Sequence, residues 1–345
     1  MSKILVVGPS WVGDMVMAQS LFKLLRQHTP SCSIDVLAPA WSHPILQRMP
    51  EVNQALELPL GHGQLGLKTR WQLGKSLAGQ GYTQAIVLPR SWKSALVPFA
   101  AGIPQRTGFL GEQRYFLLND RRALDKQVLN QTVKRFAALG LPKGQSATWQ
   151  SESELPQPQL QVDVHNQQRL LAQLGLSTTR PAVALMPGAE YGPAKQWPLD
   201  SFKELAALLV QQGYQVWVLG SAKDHPAGQH IAQGQEGGEG QSGHVFNLCG
   251  RTQLADAVDL LAYTQKVFTN DSGLMHVAAA VGTQVHAIYG SSSPAYTPPL
   301  TTHKVVHYLA LECSPCFKRT CPLGHLNCLH GIKPADIAPG QGGLL

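Results

Sequence analysis

The sequence predicts an α/β protein built as two doubly wound parallel-sheet halves facing a central cleft, and three observations carry that reading. Short apolar runs that end at glycine alternate with stretches of helical periodicity, as in βαβ units. That pattern is interrupted at residues 143–160, "KGQSATWQSESELPQPQL", a polar stretch rich in Gln, Ser and Pro with the chemistry of a linker. The alternation then resumes, and 345 residues agree with a prior of about two domains. The expected division is residues 1–160 and 161–345.

Taken in order, "KILVVG" is a buried parallel strand closing at Gly8. "DMVMAQSLFKLLRQH" spaces Met15, Leu21, Leu24 and Leu25 as one helical face. "SIDVLAP" is a second strand, "HPILQRM" a short helix and "YTQAIVLP" (82–89) a later strand. Beyond the linker come strand "AVALMPG" (182–188), helix "DSFKELAALLVQQG", strand "QVWVLGS", helix "QLADAVDLLAY", strand "KVFTND" and helix "GLMHVAAAVG". "VHAIYGSS" is the last clear strand. In such sheets chemistry gathers at the carboxyl ends of the strands.

Composition narrows the classes. Apolar residues make up 43% and charged residues 14%, a globular balance. No apolar run reaches the roughly 18–20 residues of a membrane span, and "KILVVG" is too short for a secretory signal, so a cytosolic protein is expected. The net charge of +7 is uneven. Residues 1–170 carry 18 Lys and Arg against 10 acids, while residues 171–345 carry 10 against 11. The first half therefore either solvates an ordinary surface or faces something anionic. No basic helix, RNP aromatics or helix-turn-helix spacing points to nucleic acid, which leaves an acidic substrate or a membrane face.

Three loops could do chemistry in the second half. In "FTNDSGLMHVAAA" (268–280) a strand ends at Asn270-Asp271 and a helix begins at once. The amides of Ser272, Gly273, Leu274, Met275 and His276 then form an anion site, unless Asp271 or Ser272 simply caps the helix. Lys195, in "PGAEYGPAKQWP", stands near the sheet's carboxyl edge, either to neutralise a diphosphate or as a solvated loop lysine. In "VLGSAKDHPAG", Asp224 follows Gly220-Ser221, where an acid after a βα turn can bind ribose hydroxyls. Neither half completes a GxGxxG or P-loop pattern, so nicotinamide or ATP chemistry gains little support. In the first half, "GPSWVGDMVMAQSL" sets Asp14 where strand becomes helix, as cap, nucleotide-loop residue or catalytic acid.

Together "GPSWVGDMVMAQSL", "PGAEYGPAKQWP", "LGSAKDH" and "TNDSGLMHVAAA" resemble the ADP-heptose:lipopolysaccharide heptosyltransferases of glycosyltransferase family 9. "LPLGHG", "KSALVPFAAGIPQRTGF" and "YGSSSPAYTPPL" are also similar to that family, and the match spans at least residues 3–300. The resemblance implies a GT-B fold of two Rossmann-like domains, with acceptor on the first and nucleotide sugar on the second. It implies inverting transfer of L-glycero-D-manno-heptose from ADP-heptose to the first heptose of the inner core on Kdo2-lipid A, at the cytoplasmic face of the inner membrane. No catalytic metal or cofactor is implied. The alternatives are a sibling transferase with another acceptor, or a non-catalytic protein that binds nucleotide sugar or anionic lipid on the same fold.

By that resemblance Asp14 is the base that takes the acceptor's proton, beside Gly13 in an open turn. Lys195 and the 272–276 amides would meet the charge on departing ADP. Glu190, Tyr191, Ser221, Asp224, Thr252 and Asp271 complete the expected ADP-heptose set. The basic surplus suits an acceptor bearing Kdo carboxylates and lipid A phosphates, with Lys68, Arg70, Arg90, Lys93, Arg106 and Arg121 as candidates to meet it.

Two C-terminal features stand apart. Cys313, Cys316, Cys321 and Cys328 follow a C-x2-C-x4-C-x6-C spacing, with His325 and His330 nearby. Four thiolates could hold a structural zinc ion or an iron–sulfur cluster, or remain plain thiols. The ending "IAPGQGGLL" lacks the closing helix that the implied fold has, which leaves its packing open.

Overall fold

The computed structural model describes residues 2–61, 63–234 and 243–338, so all of "IAPGQGGLL" after Ala338 lies outside the described residues. Contacts divide the chain into two compact units, Met1–Gln161 and Val162–Leu345.

Unit 1 runs β1 (Lys3–Val7), α1 (Val12–His28), β2 (Ser33–Ala38), α2 (His43–Leu46), β3 (Gln54–Glu57), α3 (Leu67–Leu77), β4 (Gln84–Val87), α4 (Leu96–Ala100), β5 (Gln105–Phe109), β6 (Asp120–Arg122) and α5 (Thr132–Ala138). Its six strands are all parallel, in the order β3-β2-β1-β4-β5-β6. Strand direction across such a sheet is set by right-handed crossovers, so the order reverses between β1 and β4 and opens a crevice at their carboxyl ends. Leu5, Val7, Ala85 and Val87 on these strands belong to one buried apolar cluster. At Gly8, just after β1, an added Cβ would lie 2.8 Å from Met15 Cε on α1, so the end of the Met15 side chain would have to shift to admit a larger residue.

The 143–160 stretch is better held than its composition suggests. Gln19, fully buried on α1, donates to the Gln159 carbonyl and accepts from the Gln159 amide, both at 2.8 Å. Lys23 Nζ donates to the Gln157 carbonyl, and Leu155 and Leu160 are buried. Side-chain bonds from α1 thus replace the ladder that this polar segment cannot make.

Unit 2 runs α6 (Val164–Leu174), β7 (Ala182–Met186), α7 (Leu199–Gln211), β8 (Gln215–Val218), α8 (His225–Ala232), β9 (Val245–Asn247), α9 (Leu254–Tyr263), β10 (Lys266–Asn270), α10 (Gly273–Ala280), β11 (Gln284–Ile288), β12 (Lys304–His307), α11 (Asn327–His330) and α12 (Pro334–Ile337). The sheet is again six-stranded and parallel, ordered β12-β11-β10-β7-β8-β9. Numbered within the unit, this is the order of unit 1, with the reversal now between β7 and β10. Trp197, Phe202, Val183, Leu185 and Phe268 lie in its buried core. The Trp197 ring meets Phe202 edge-on at 4.9 Å and donates its indole N–H to the Ile332 carbonyl at 3.0 Å, satisfying its one polar atom.

"VHAIYGSS" is not the last strand. β12 pairs with β11 beyond it, at the sheet's edge, where Val305 and Val306 are exposed. The other edge strands β3, β6 and β9 are equally short, and none shows a buried apolar run.

Candidate active site

The reversal in unit 2 assembles the loops that follow β7 and β10. Asn270 ends β10 and is wholly buried; its Nδ2 donates to the Pro187 carbonyl at 2.7 Å and its Oδ1 accepts from the Trp197 amide at 2.9 Å. One amide side chain thus ties both ends of the 187–197 loop to the neighbouring strand. Between those ties Lys195 Nζ lies 2.5 Å from Asp271 Oδ2, with side-chain exposures of 18% and 6%. Its ammonium is also 5.2 Å from the centre of the Tyr191 ring. Burial makes this pair hard to break one-sidedly, at a typical cost of about 3–5 kcal/mol. Lys195 is therefore a fixed cation at the crevice and not a solvated loop lysine.

Simple capping does not account for 271–276. Ser272 occupies the N-cap of α10, yet its hydroxyl makes no cap bond and faces Thr269 Oγ1 at 3.4 Å. Asp271 is committed to Lys195. The first turn of α10, Gly273 to His276, then carries the positive helix end, equivalent to about half a charge. His276 is buried, and its Nδ1 has no hydrogen-bond partner. Burial foremost, and the Lys195 charge against the pull of Asp271, lower its pKa to about 4. It is a neutral imidazole at pH 7, so the site's positive charge comes from Lys195 and the helix.

The remaining donor-side expectations fare unevenly. Asp224 closes a capping box: its Oδ2 accepts from the Ser221 amide and hydroxyl, both at 2.8 Å, and its carboxylate packs beside Gly188 and Gly220. It therefore fixes the turn after β8, together with Ser221. Glu190 is exposed and pairs with exposed Lys223 at 3.3 Å, a weak contact in water. Tyr191 donates its hydroxyl to the Phe317 carbonyl at 2.9 Å, with Arg319 over its ring at 5.3 Å. Leu274 and Thr252 are half-buried, Thr252 just ahead of α9, and Met275 is fully buried on α10.

Sequence reading missed Asn270 as a tie and missed the 313–320 segment as a brace. The Ala194 amide donates to the Arg319 carbonyl at 3.0 Å, and the Phe317 amide to the Ser291 carbonyl at 2.7 Å. Gly192 has φ of +153°, and a Cβ there would stand 2.6 Å from the Arg319 carbonyl oxygen. The four C-terminal cysteines line one cavity of about 20 Å³ together with Ala194 and Ser291. The bond from Ala194 to Arg319 joins residues far apart in the chain, which no local sequence pattern reveals.

In unit 1, Asp14 is the third residue of α1, behind Gly13, at the carboxyl end of β1 and so at the reversal of its sheet. It is not the cap; Trp11 holds that position. A carboxylate in a helix's first turn is favoured by the dipole. The cations divide. Arg70 is 5% exposed and donates to the Leu65 carbonyl, and Arg106 donates to the Leu117 and Ile103 carbonyls beneath Phe99. Lys93 donates to the Gly63 and Gln64 carbonyls. These three brace loops through backbone carbonyls. Lys68, Arg90 and Arg121 are exposed.

Comparison with known proteins follows the same lines. The family model for glycosyltransferase family 9 (heptosyltransferase) matches residues 70–327. Lipopolysaccharide heptosyltransferase 2 of Escherichia coli K12 is 52% identical over 306 residues, covering 88% of this chain and 86% of that one. Lipooligosaccharide heptosyltransferase 2 of Haemophilus influenzae is 48% identical, covering 86% of each. A solved structure of E. coli ADP-heptose lps heptosyltransferase II superposes with a TM-score of 0.83 at 46% identity, covering 97% and 96% of the two chains. A family 9 glycosyl transferase from Veillonella parvula, 18% identical, shares the fold at a TM-score of 0.75 over 88% and 85%.

Two Rossmann-like units of matching strand order, one with a fixed cation and a helix end at its reversal, define a glycosyltransferase of GT-B fold. The chain belongs to glycosyltransferase family 9, the heptosyltransferases.

Proposed function

We propose that the enzyme transfers L-glycero-D-manno-heptose from ADP-heptose to the first heptose of the lipopolysaccharide inner core, with inversion at the anomeric carbon. The observation that carries this reading is the Lys195–Asp271 pair beside the amino end of α10, at the reversal of unit 2. The identity of roughly half the residues with heptosyltransferases 2 supports this acceptor over others.

In this mechanism the acceptor hydroxyl oxygen attacks the anomeric carbon as the bond from that carbon to the ADP oxygen breaks. The hydroxyl proton passes to the Asp14 carboxylate, a placed base typically contributing about 10²- to 10⁴-fold. Negative charge grows on the β-phosphate, where Lys195 and the first amides of α10 meet it. Asp271 aims Lys195 without flooding the pocket with mobile charge. These fixed groups do the work a divalent cation does in other sites, so added Mg²⁺ is expected to leave turnover unchanged.

The second part of the proposal is contact with an anionic membrane surface, where such an acceptor resides. Arg114, 1% exposed, donates to the Phe109, Pro89 and Ser91 carbonyls and to Ser94 Oγ. That anchor turns the next two residues outward: Tyr115 is 52% and Phe116 90% exposed, with exposed Arg90 on the neighbouring loop. Aromatic tips beside cations suit a headgroup layer.

ADP release is the deciding assay, with ADP-heptose and either mono-heptosylated or unheptosylated Kdo2-lipid A. Release with the mono-heptosylated acceptor is expected. Release with the unheptosylated acceptor alone would assign the preceding transfer step instead.

A further inference from the structure

The segment from residue 308 to 326 contains neither helix nor strand, and no residue from 301 to 327 is buried. Structureless loops beyond about 12–15 residues are uncommon in compact units unless something holds them. Here Phe317 and Leu326 also adopt left-handed backbone, with φ of 54° and 51°, at a typical cost of about 1–2 kcal/mol each. Only Leu311 and Leu326 of this loop pack against the core of unit 2, and all six cysteines are free thiols, so no disulfide holds it.

What the loop does bring together is sulfur. Cys313, Cys316, Cys321 and Cys328 line the same cavity of about 20 Å³. That volume suits one ion or one water-sized sphere.

We propose that Cys313, Cys316, Cys321 and Cys328 bind one thiophilic metal ion, zinc or mononuclear iron, in a closed tetrahedral site that fixes the 308–326 loop. In the arrangement described, no group of three or more His, Cys, Asp or Glu side chains among the described residues is set to hold an ion. Binding therefore draws the thiols inward; a change of χ1 rotamer moves a cysteine sulfur by about 3 Å. Four protein ligands leave no open position, so the ion is structural and takes no part in the transfer. Its reach is nonetheless functional in the reading above, because Ala194 and Ser291 line the same cavity and Arg319 holds the Ala194 amide. The ion would stiffen the stretch that presents Lys195.

The test reads metal and thiols, not turnover, so it stands whether or not the proposed reaction is right. Untagged protein purified without chelator is expected to carry about one equivalent of zinc or iron. Its four loop cysteines should react with a thiol reagent at least about tenfold faster once the metal is stripped under reducing conditions. Buried Cys32 and Cys249 serve as internal references. Added zinc should restore protection in the native chain, but not in the Cys316→Ser/Cys321→Ser variant. Less than about a tenth of an equivalent, with no zinc-dependent protection, would overturn the site. So would two disulfides among these cysteines in protein kept reduced.

Discussion

Asp14 and Lys195 occupy corresponding addresses. Each follows the first strand of its own sheet, β1 or β7, at the place where strand order reverses. The same topology has been given opposite charges: a carboxylate in a helix's first turn in unit 1, an ammonium held by Asp271 in unit 2. The two residues should therefore fail differently. Asp14→Asn keeps the size and removes the proton acceptor, so kcat is expected to fall at least about tenfold while ADP affinity by calorimetry stays unchanged. Undiminished kcat in that variant would remove Asp14 from the proton transfer.

At the scale of elements, the tie made by Asn270 matters more than its single hydrogen bonds suggest. Asn270→Ala leaves the Pro187 carbonyl and the Trp197 amide without their partner, and a buried orphan group typically costs about 1–3 kcal/mol. Chemical denaturation should show a loss of about 2 kcal/mol or more, with ADP affinity falling in parallel because Lys195 is no longer held between the ties. A drop in stability with ADP affinity intact would separate the tie from the site. The central strands β1, β2, β4, β7, β8, β10 and β11 were legible from apolar runs, since parallel strands buried on both faces leave that signature. The edge strands β3, β6, β9 and β12 and the inner strand β5 were not, because short polar stretches such as "DRR" at β6 and "QRTGF" at β5 lack that signature. Motif residues Lys195, Asp271 and Ser272 could be located from the chain alone. Which of them pair could not, because Lys195 and Asp271 meet only through parallel alignment of β7 with β10. Arg70 and Arg106 illustrate the opposite limit: a charge count sees cations, and only packing shows their donors already spent on carbonyls.

For the molecule as a whole, the excess of 18 basic over 10 acidic groups in residues 1–170 sets the long-range field of one unit. In the proposed membrane contact, field and aromatic tips act together, so Phe116→Ser should weaken co-sedimentation with anionic vesicles several-fold. Turnover on a de-acylated, water-soluble acceptor should be unaffected; a loss there would place Phe116 in acceptor binding instead. No helix of the described residues is long and apolar enough to cross a membrane. The two sheets also dictate a timetable. Every strand pairing is parallel, so none can close by a tight hairpin, and β1 cannot meet β4 until the chain from Val7 to Gln84 exists. Pairings of such long sequence separation form slowly. At about 5–20 residues per second, a ribosome needs roughly 10–30 s to deliver unit 1. The first sheet can therefore mature while the second is still being made, a head start that refolding of the full-length chain from denaturant does not give.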